Sequence, residues 1–219
     1  MTDRVKDTPG GTRRYHSQRR TAQALQTRRA VLDAARHLFV TKGYAATTVA
    51  DIAALAEVSV DTLYSSVGRK PALLRELVET SISGGDQAVP AQQRDYVQLI
   101  HQAATAQDKL AIYARALTRI HQRMAPVFLA LRDAAATDPQ CAALWQDIAE
   151  RRASNMLDFA AELRATGQVR ADLTDRQVAD IIWSMNAAEY WVLLVDERSW
   201  TAEQFADWVT DAWARLLLT

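Results

Sequence analysis

The chain has 219 residues, 49% of them hydrophobic and 24% charged, with 26 Lys or Arg balanced by 26 Asp or Glu. That length suits one large or two small domains, and the longest apolar run, Tyr190 to Val195, is far short of a bilayer span. The lone Cys141 can close no internal disulfide, and no apolar core of a signal peptide opens the chain, so a cytoplasmic location is expected.

Gly and Pro are scarce, at 7 and 5, and no run of alternating β-branched residues occurs, which predicts an all-α protein. Charge is unevenly placed. Residues 1–85 hold 13 Lys or Arg against 8 Asp or Glu, whereas residues 86–219 hold 13 against 18. A basic end on a neutral protein is the footprint of a polyanion-binding domain joined to something else. A solvated tail with no partner would give the same excess.

In chain order, residues 1–26 carry Pro9, Gly10, Gly11 and the pairs Arg13-Arg14 and Arg19-Arg20. High charge and low hydrophobicity predict a flexible basic arm, and Arg side chains on such an arm can enter a narrow minor groove. A helix is predicted from about Thr27 to Lys42, with Val31, Ala34, Ala35, Leu38 and Phe39 inward and Gly43 ending it. Two short helices follow, about Thr48 to Ala56 and Ser59 to Ser66, each opened by a hydroxyl residue that can cap it. Val49, Ile52, Ala53 and Ala56 share the inner face of the first, and Val60, Leu63 and Val67 that of the second. Helices this short must pack on each other and on a third. Two crossed short helices, the second exposing small polar side chains, match the helix-turn-helix whose second helix enters the major groove.

Arg29, Ala34, Ala35, Leu38, Phe39, Gly43, Tyr44, Thr47, Thr48, Val49, Ile52, Ala53, Val58, Ser59, Thr62, Leu63, Tyr64, Lys70, Leu73 and Leu74 carry a resemblance in order and spacing. Over residues 27–80 they resemble the amino-terminal signature of the TetR family of transcriptional regulators. Two positions depart from the family pattern: Glu57 stands at a turn that usually has Gly, and Val67 where an aromatic is usual. A non-Gly residue at positive φ costs about 1 kcal/mol, so a slightly different turn is expected.

By residue type, Thr47, Thr48, Tyr64 and Lys70 suit phosphate oxygens. Ser59, Asp61, Thr62 and Ser65 suit base edges, and Val60 turned outward would meet a thymine methyl. The family resemblance supports Thr48, Tyr64 and Lys70 most directly. Asp61 equally fits a carboxylate stabilising its own helix start.

Lys70-Pro71 opens a fourth helix with Leu73, Leu74, Leu77 and Val78 inward, ending at Gly84-Gly85. The division expected is an arm at 1–26, a DNA-binding domain at 27–70 and a helical regulatory and dimerisation domain at 71–219, with GGDQAVPAQQR (84–94) as linker. One helix should then end near Arg123 and another start near Pro126. A long helix is predicted over Gln140–Thr166, one from Asp172 or Thr174 to Val195, and a last one capped by Thr201. The final two are apolar on nearly every side. Ile181, Met185, Val192, Phe205, Trp208, Val209, Ala212, Trp213 and Leu216 are therefore expected in a homodimer interface, with a large-cored monomer as the plain alternative. Regulators of the resembled family dimerise through these helices.

No phosphate loop, zinc motif or di-iron pattern occurs. His16, His37, His101 and His121 are scattered, although His101 and His121 can share a cavity. No enzyme activity, metal or cofactor is expected. Tyr113, Leu117, His121, Phe128, Trp145, Met156, Phe159, Trp183, Asn186 and Tyr190 can converge on an apolar pocket for a small hydrophobic or aromatic effector. The resemblance implies a ligand-responsive repressor that binds a palindromic DNA operator as a homodimer. The alternatives are a helical small-molecule carrier or enzyme with a vestigial helix-turn-helix, and a DNA-binding protein without sequence choice.

Overall fold

The computed structural model describes residues 11–84 and 89–219. Within them lie ten α-helices: α1 Gly11–Thr41, α2 Val49–Leu55, α3 Val60–Ser66, α4 Lys70–Ser83, α5 Asp95–Gln102, α6 Ala106–Ala135, α7 Pro139–Arg164, α8 Asp175–Met185, α9 Ala188–Trp191 and α10 Ala202–Leu217. A 3₁₀ turn, Ala91–Gln93, precedes α5, and α9 runs on into a π-helical turn, Val192–Asp196. The expected all-α class holds. Among the described residues no single helix is long and apolar enough to cross a membrane.

The head is α1 to α3 closed by α4. Val31, Ala35, Phe39, Ile52, Leu63, Leu73 and Leu74 have essentially no exposure and form its centre. Local chemistry sets the helix ends. Thr48 accepts from the Asp51 amide while Asp51 accepts from the Thr48 amide, a reciprocal cap for α2. Ser59 caps α3 through the Thr62 amide. Between them Glu57 takes a φ of 55°. The amides of Glu57 and Val58 bond back to Ala54 and Ala53, the pattern that normally ends a helix at glycine. The altered turn expected from Glu57 is thus not found; the geometry is kept and the residue carries the strain.

Three expectations are corrected. The first helix begins at Gly11, not near Thr27. Residues 12–42 contain no Gly or Pro and are rich in Arg, Ala, Gln and Leu, strong helix formers whose low hydrophobicity reads as disorder. Residues 1–10 of the expected arm lie outside the described residues, as do residues 85–88 of the expected linker. Second, Pro126 does not divide two helices but lies inside α6. A proline there removes one intrahelical bond at a cost of about 3 kcal/mol, yet its neighbours Ala125, Val127 and Phe128 are buried and hold the helix through.

Third, the helix expected to reach Val195 breaks after Met185. Asn186 has φ −85° and ψ 14°, Ala187 has ψ 144°, and the segments on either side are bent by 42°. The buried Asn186 side chain sits at the break. Its amide donates to the Tyr113 hydroxyl at 2.8 Å, and its carbonyl accepts from Arg152. Those two bonds satisfy the side-chain amide that the break carries into the interior.

α6 is the axis of the body, packed on α4, α5, α7, α9 and α10. A single antiparallel bridge, Val169 to Leu218, ties the end of α10 to the turn after α7. The head joins the body through α4 and α6. Arg36 of α1 donates to Ser81 at 3.0 Å and to the backbone of Arg123 on α6.

Candidate functional site

The outer surface of α2 and α3 is small, polar and open. Thr48, Ser59, Val60, Asp61, Thr62, Tyr64 and Ser65 are all exposed. Val60 faces outward, against its predicted inward place, with 38% of its surface exposed. The reason is register: Leu63 alone of α3 is fully buried, and it fixes which face turns in. Two hydroxyls are partly committed to the helix itself, since Ser59 and Thr62 share a hydrogen bond of 2.7 Å and Ser65 donates to the Thr62 carbonyl.

Two predicted contact residues stand elsewhere. Thr47 is 1% exposed, and its hydroxyl donates to the Gly43 carbonyl at 2.7 Å. The Thr47 side chain therefore does not face the outer surface, because the tight turn after α1 needs a local donor. Lys70 folds back onto the turn after α1. Its ammonium donates to the carbonyls of Tyr44 at 2.6 Å and Thr47 at 2.8 Å, and lies 4.0 Å from the centroid of the Tyr44 ring. Two of its three N–H groups are thereby used within the protein, and one remains for another acceptor. Burial pushes the Lys70 ammonium below its ordinary value, against the pull of Asp138.

Asp138 belongs to the body and caps α7 through the amides of Gln140 and Cys141. It also accepts the Tyr44 hydroxyl at 3.1 Å. Burial works against its charge, but those amides hold it below the ordinary carboxylate range. Burial, then Cys141 and Asp138, push the Tyr44 phenol far up. Tyr44, Lys70, Asp138 and Cys141 thus make one polar joint between head and body. Cys141 itself is buried.

The body holds a cavity of about 780 Å³, open to solvent on one side and walled by the end of α4, residues 89–97, α5, α6, α7 and Asn186. Of the ten residues expected there, Tyr113, Leu117, His121, Met156, Phe159 and Asn186 line it. Four do not. Phe128 and Trp145 pack on each other at 4.5 Å, Trp183 lies against Arg152, and Tyr190 is exposed beside Trp208 at 5.6 Å. The break at Asn186 turns the segment beyond it, and Tyr190 with it, away from the cavity. Ile120 and Met124, which the sequence reading missed, fall on the same 3–4 spacing as Tyr113 and Leu117 and were open to discovery that way. Tyr96, Ile100 and Arg152 gave no such signal.

Three groups define the polar end of the cavity. Arg152 donates to the Asn186 carbonyl and to the Trp183 backbone at 3.2 Å, with its guanidinium 5.1 Å from the Trp183 ring. The Tyr113 ring stacks on Trp213 at 5.6 Å, its hydroxyl held by Asn186. His121 is 1% exposed, and neither ring nitrogen has a protein hydrogen-bond partner. Burial, then the charge of Arg152, push the His121 imidazole down to about 4, opposed by the Asn186 backbone. His101 also lines the cavity, paired with Glu162 at 3.0 Å.

The residues expected in a dimer interface divide in two. Phe205, Val209 and Trp213 have no exposure, so they are core of a single protomer and cannot meet a partner. They face α6, whose demand for apolar cover the sequence pattern does not separate from a partner's. Ile181, Met185, Val192, Trp208 and Ala212 are half-buried and Leu216 is 43% exposed. Leu193, not anticipated, is 51% exposed on the π-helical turn.

Residues 31–77 match the family model for bacterial regulatory proteins, tetR family. No curated protein matches the sequence. Among solved structures, a SmeT–triclosan complex is 18% identical with a TM-score of 0.68, covering 88% of this chain and 92% of that one. The fatty acid degradation regulator FadR of Bacillus halodurans is 17% identical, TM-score 0.67, covering 85% and 94%. A protein from Saccharomonospora viridis in complex with choline is 17% identical, TM-score 0.64, covering 88% and 97%. Residues 31–77 therefore carry the tetR-family match, and the chain as a whole has the fold seen in solved structures of TetR-family transcriptional regulators.

Proposed function

We propose that this chain is a cytoplasmic, ligand-responsive repressor that binds a palindromic operator as a homodimer and carries out no enzymatic step. The reading divides the chain into a basic amino-terminal segment at 1–26, whose residues 11–26 open α1, a DNA-binding head at 27–70 and a regulatory and dimerising body at 71–219. Thr48, Tyr64 and the free N–H of Lys70 engage phosphates; Ser59, Val60, Asp61, Thr62 and Ser65 meet base edges. The observation that carries the proposal is a single fold that opens a small polar helix face, α3, outward while forming a largely apolar cleft in the body. The neighbours with triclosan and choline support a small-molecule input, although their ligands say nothing of the one used here.

Coupling follows from shared elements. α7 touches the head at Asp138 and lines the cavity at Arg152, Met156 and Phe159. An effector that favours one placement of α7 and α4 changes the separation of the two recognition helices, which must match half-sites about 34–36 Å apart. Selection of bound fragments from random DNA, followed by competition with random duplex, tests the reading. A preferred palindromic site, favoured about a thousandfold or more, is expected. Equal retention of all duplexes, or a chain that sediments as one subunit when bound, overturns it.

A further inference from the structure

The charges of the cavity wall are unevenly answered. Arg151 pairs with Glu79, and Glu162 with His101 and with Lys109 behind the wall; Arg94, at the part-exposed rim, is met by the Val89 carbonyl and the Tyr96 hydroxyl. Arg152, half-buried in the same wall, has no carboxylate within ion-pair distance among the described residues; Glu189, paired with Arg132 at 3.4 Å, acts on it only from further off. Its protein partners are two neutral carbonyls, Asn186 and Trp183, and both are reached from one nitrogen, Nη2. The other N–H groups of the guanidinium meet no acceptor among the described residues. Beside it, Asn186 donates to the Tyr113 hydroxyl, which leaves the phenol proton free to be donated onward. His121 adds two buried ring nitrogens without partners on the same wall. The unpaired carboxylate of the wall, Asp158, is exposed to solvent. A buried cation satisfied only by neutral groups is costly unless an anion joins it, and a guanidinium fork matches a carboxylate best of all.

We propose that the cavity takes an organic acid, with a carboxylate seated on Arg152 beside the Tyr113 hydroxyl and an apolar body lying along Leu117, Ile120, Met124 and Phe159. The inference rests on the cavity being the effector site and names the class of effector. The rest of the lining fits, since beyond this polar end the wall is mainly aliphatic and aromatic. Choline, carried by one structural neighbour, has the opposite charge and is excluded by Arg152 here.

Titration calorimetry of the full chain with decanoate, decanol and decyltrimethylammonium tests this without DNA. Decanoate is expected to bind at least about tenfold more tightly than decanol, the scale of one charge-assisted pair, and the cation not at all. Arg152→Gln is expected to bring decanoate down to the affinity of decanol. If that variant does not fold by circular dichroism, Arg152→Lys serves, keeping the charge but not the fork and giving an intermediate preference. Decanol binding as well as decanoate, tightest binding of the cation, binding of none of the three, or an undiminished preference in the variant overturns the proposal. A chain that shows the decanoate preference yet retains no DNA overturns the regulator reading alone. One that selects an operator but prefers decanol overturns the acid site alone.

Discussion

His121 is walled in by Trp191 and Phe205, whose rings lie 6.0 and 6.2 Å away, and faces Arg152 rather than any carboxylate. The unfolded chain takes up this proton near the ordinary value of 6.5, whereas the folded chain refuses it until about 4. Between those values the unfolded state binds more protons, so folding stability falls as pH drops from 7 through 5. The loss from this one ring is about 2 kcal/mol over that interval. Urea unfolding at both pH values should show it, and His121→Leu should remove most of it, because an apolar side chain there abandons no hydrogen bond. An unchanged pH slope in the variant would mean that carboxylates set the dependence. Glu57 is the other strained residue. At a φ of 55° a side chain is disfavoured, so Glu57→Gly should raise stability by about 1 kcal/mol, read as a higher urea midpoint at constant slope.

At the scale of elements, Lys70 decides whether the start of α4 is a DNA contact or a clamp. The clamp is visible: the ammonium draws together the carbonyls of Tyr44 and Thr47, which fix the entry to α2. Replacement by Met should therefore speed hydrogen exchange of the α2 amides in the DNA-free protein. A phosphate contact as well predicts a fall of about one unit in the salt slope of operator binding, with sequence preference intact. Faster exchange with an unchanged slope would assign Lys70 to the clamp alone. The head was legible because its elements are set locally, by Thr48, Ser59, Gly43 and the spacing of Ile52, Leu63, Leu73 and Leu74. The body was legible in class and in its capped helices at Thr201 and Asp138. It was not legible at Pro126 and Asn186, where what matters is the burial of neighbours and a partner about seventy positions away in Tyr113. Arg152 shows the same limit in the cavity: spacing reveals an apolar wall, but not which charge lacks an answer.

For the whole molecule the open question is which surface a second copy would cover. Apolar residues of α8, α10 and the π-helical turn remain uncovered by the protomer, and rings cluster there, Trp208 lying 5.6 Å from Tyr190 and 6.3 Å from Trp200. A stable interface removes about 800 Å² from each partner and concentrates its energy in such central aromatic and aliphatic side chains. Leu193 at 51% exposure and Leu216 at 43% contribute little to the protomer's own core, so charge at either place leaves the fold nearly untouched. Leu193→Glu and Leu216→Glu are expected to weaken self-association at least about tenfold by sedimentation equilibrium, since a carboxylate buried at an apolar interface has no partner. Trp213→Ala is the contrast. That ring is wholly buried and stacked on Tyr113, and its loss should cost about 3–5 kcal/mol of protomer stability. If both Glu variants sediment as the parent does, the two-fold surface lies elsewhere. The recognition helices would then be spaced by a contact outside α8 and α10, and the operator half-site separation would change with it.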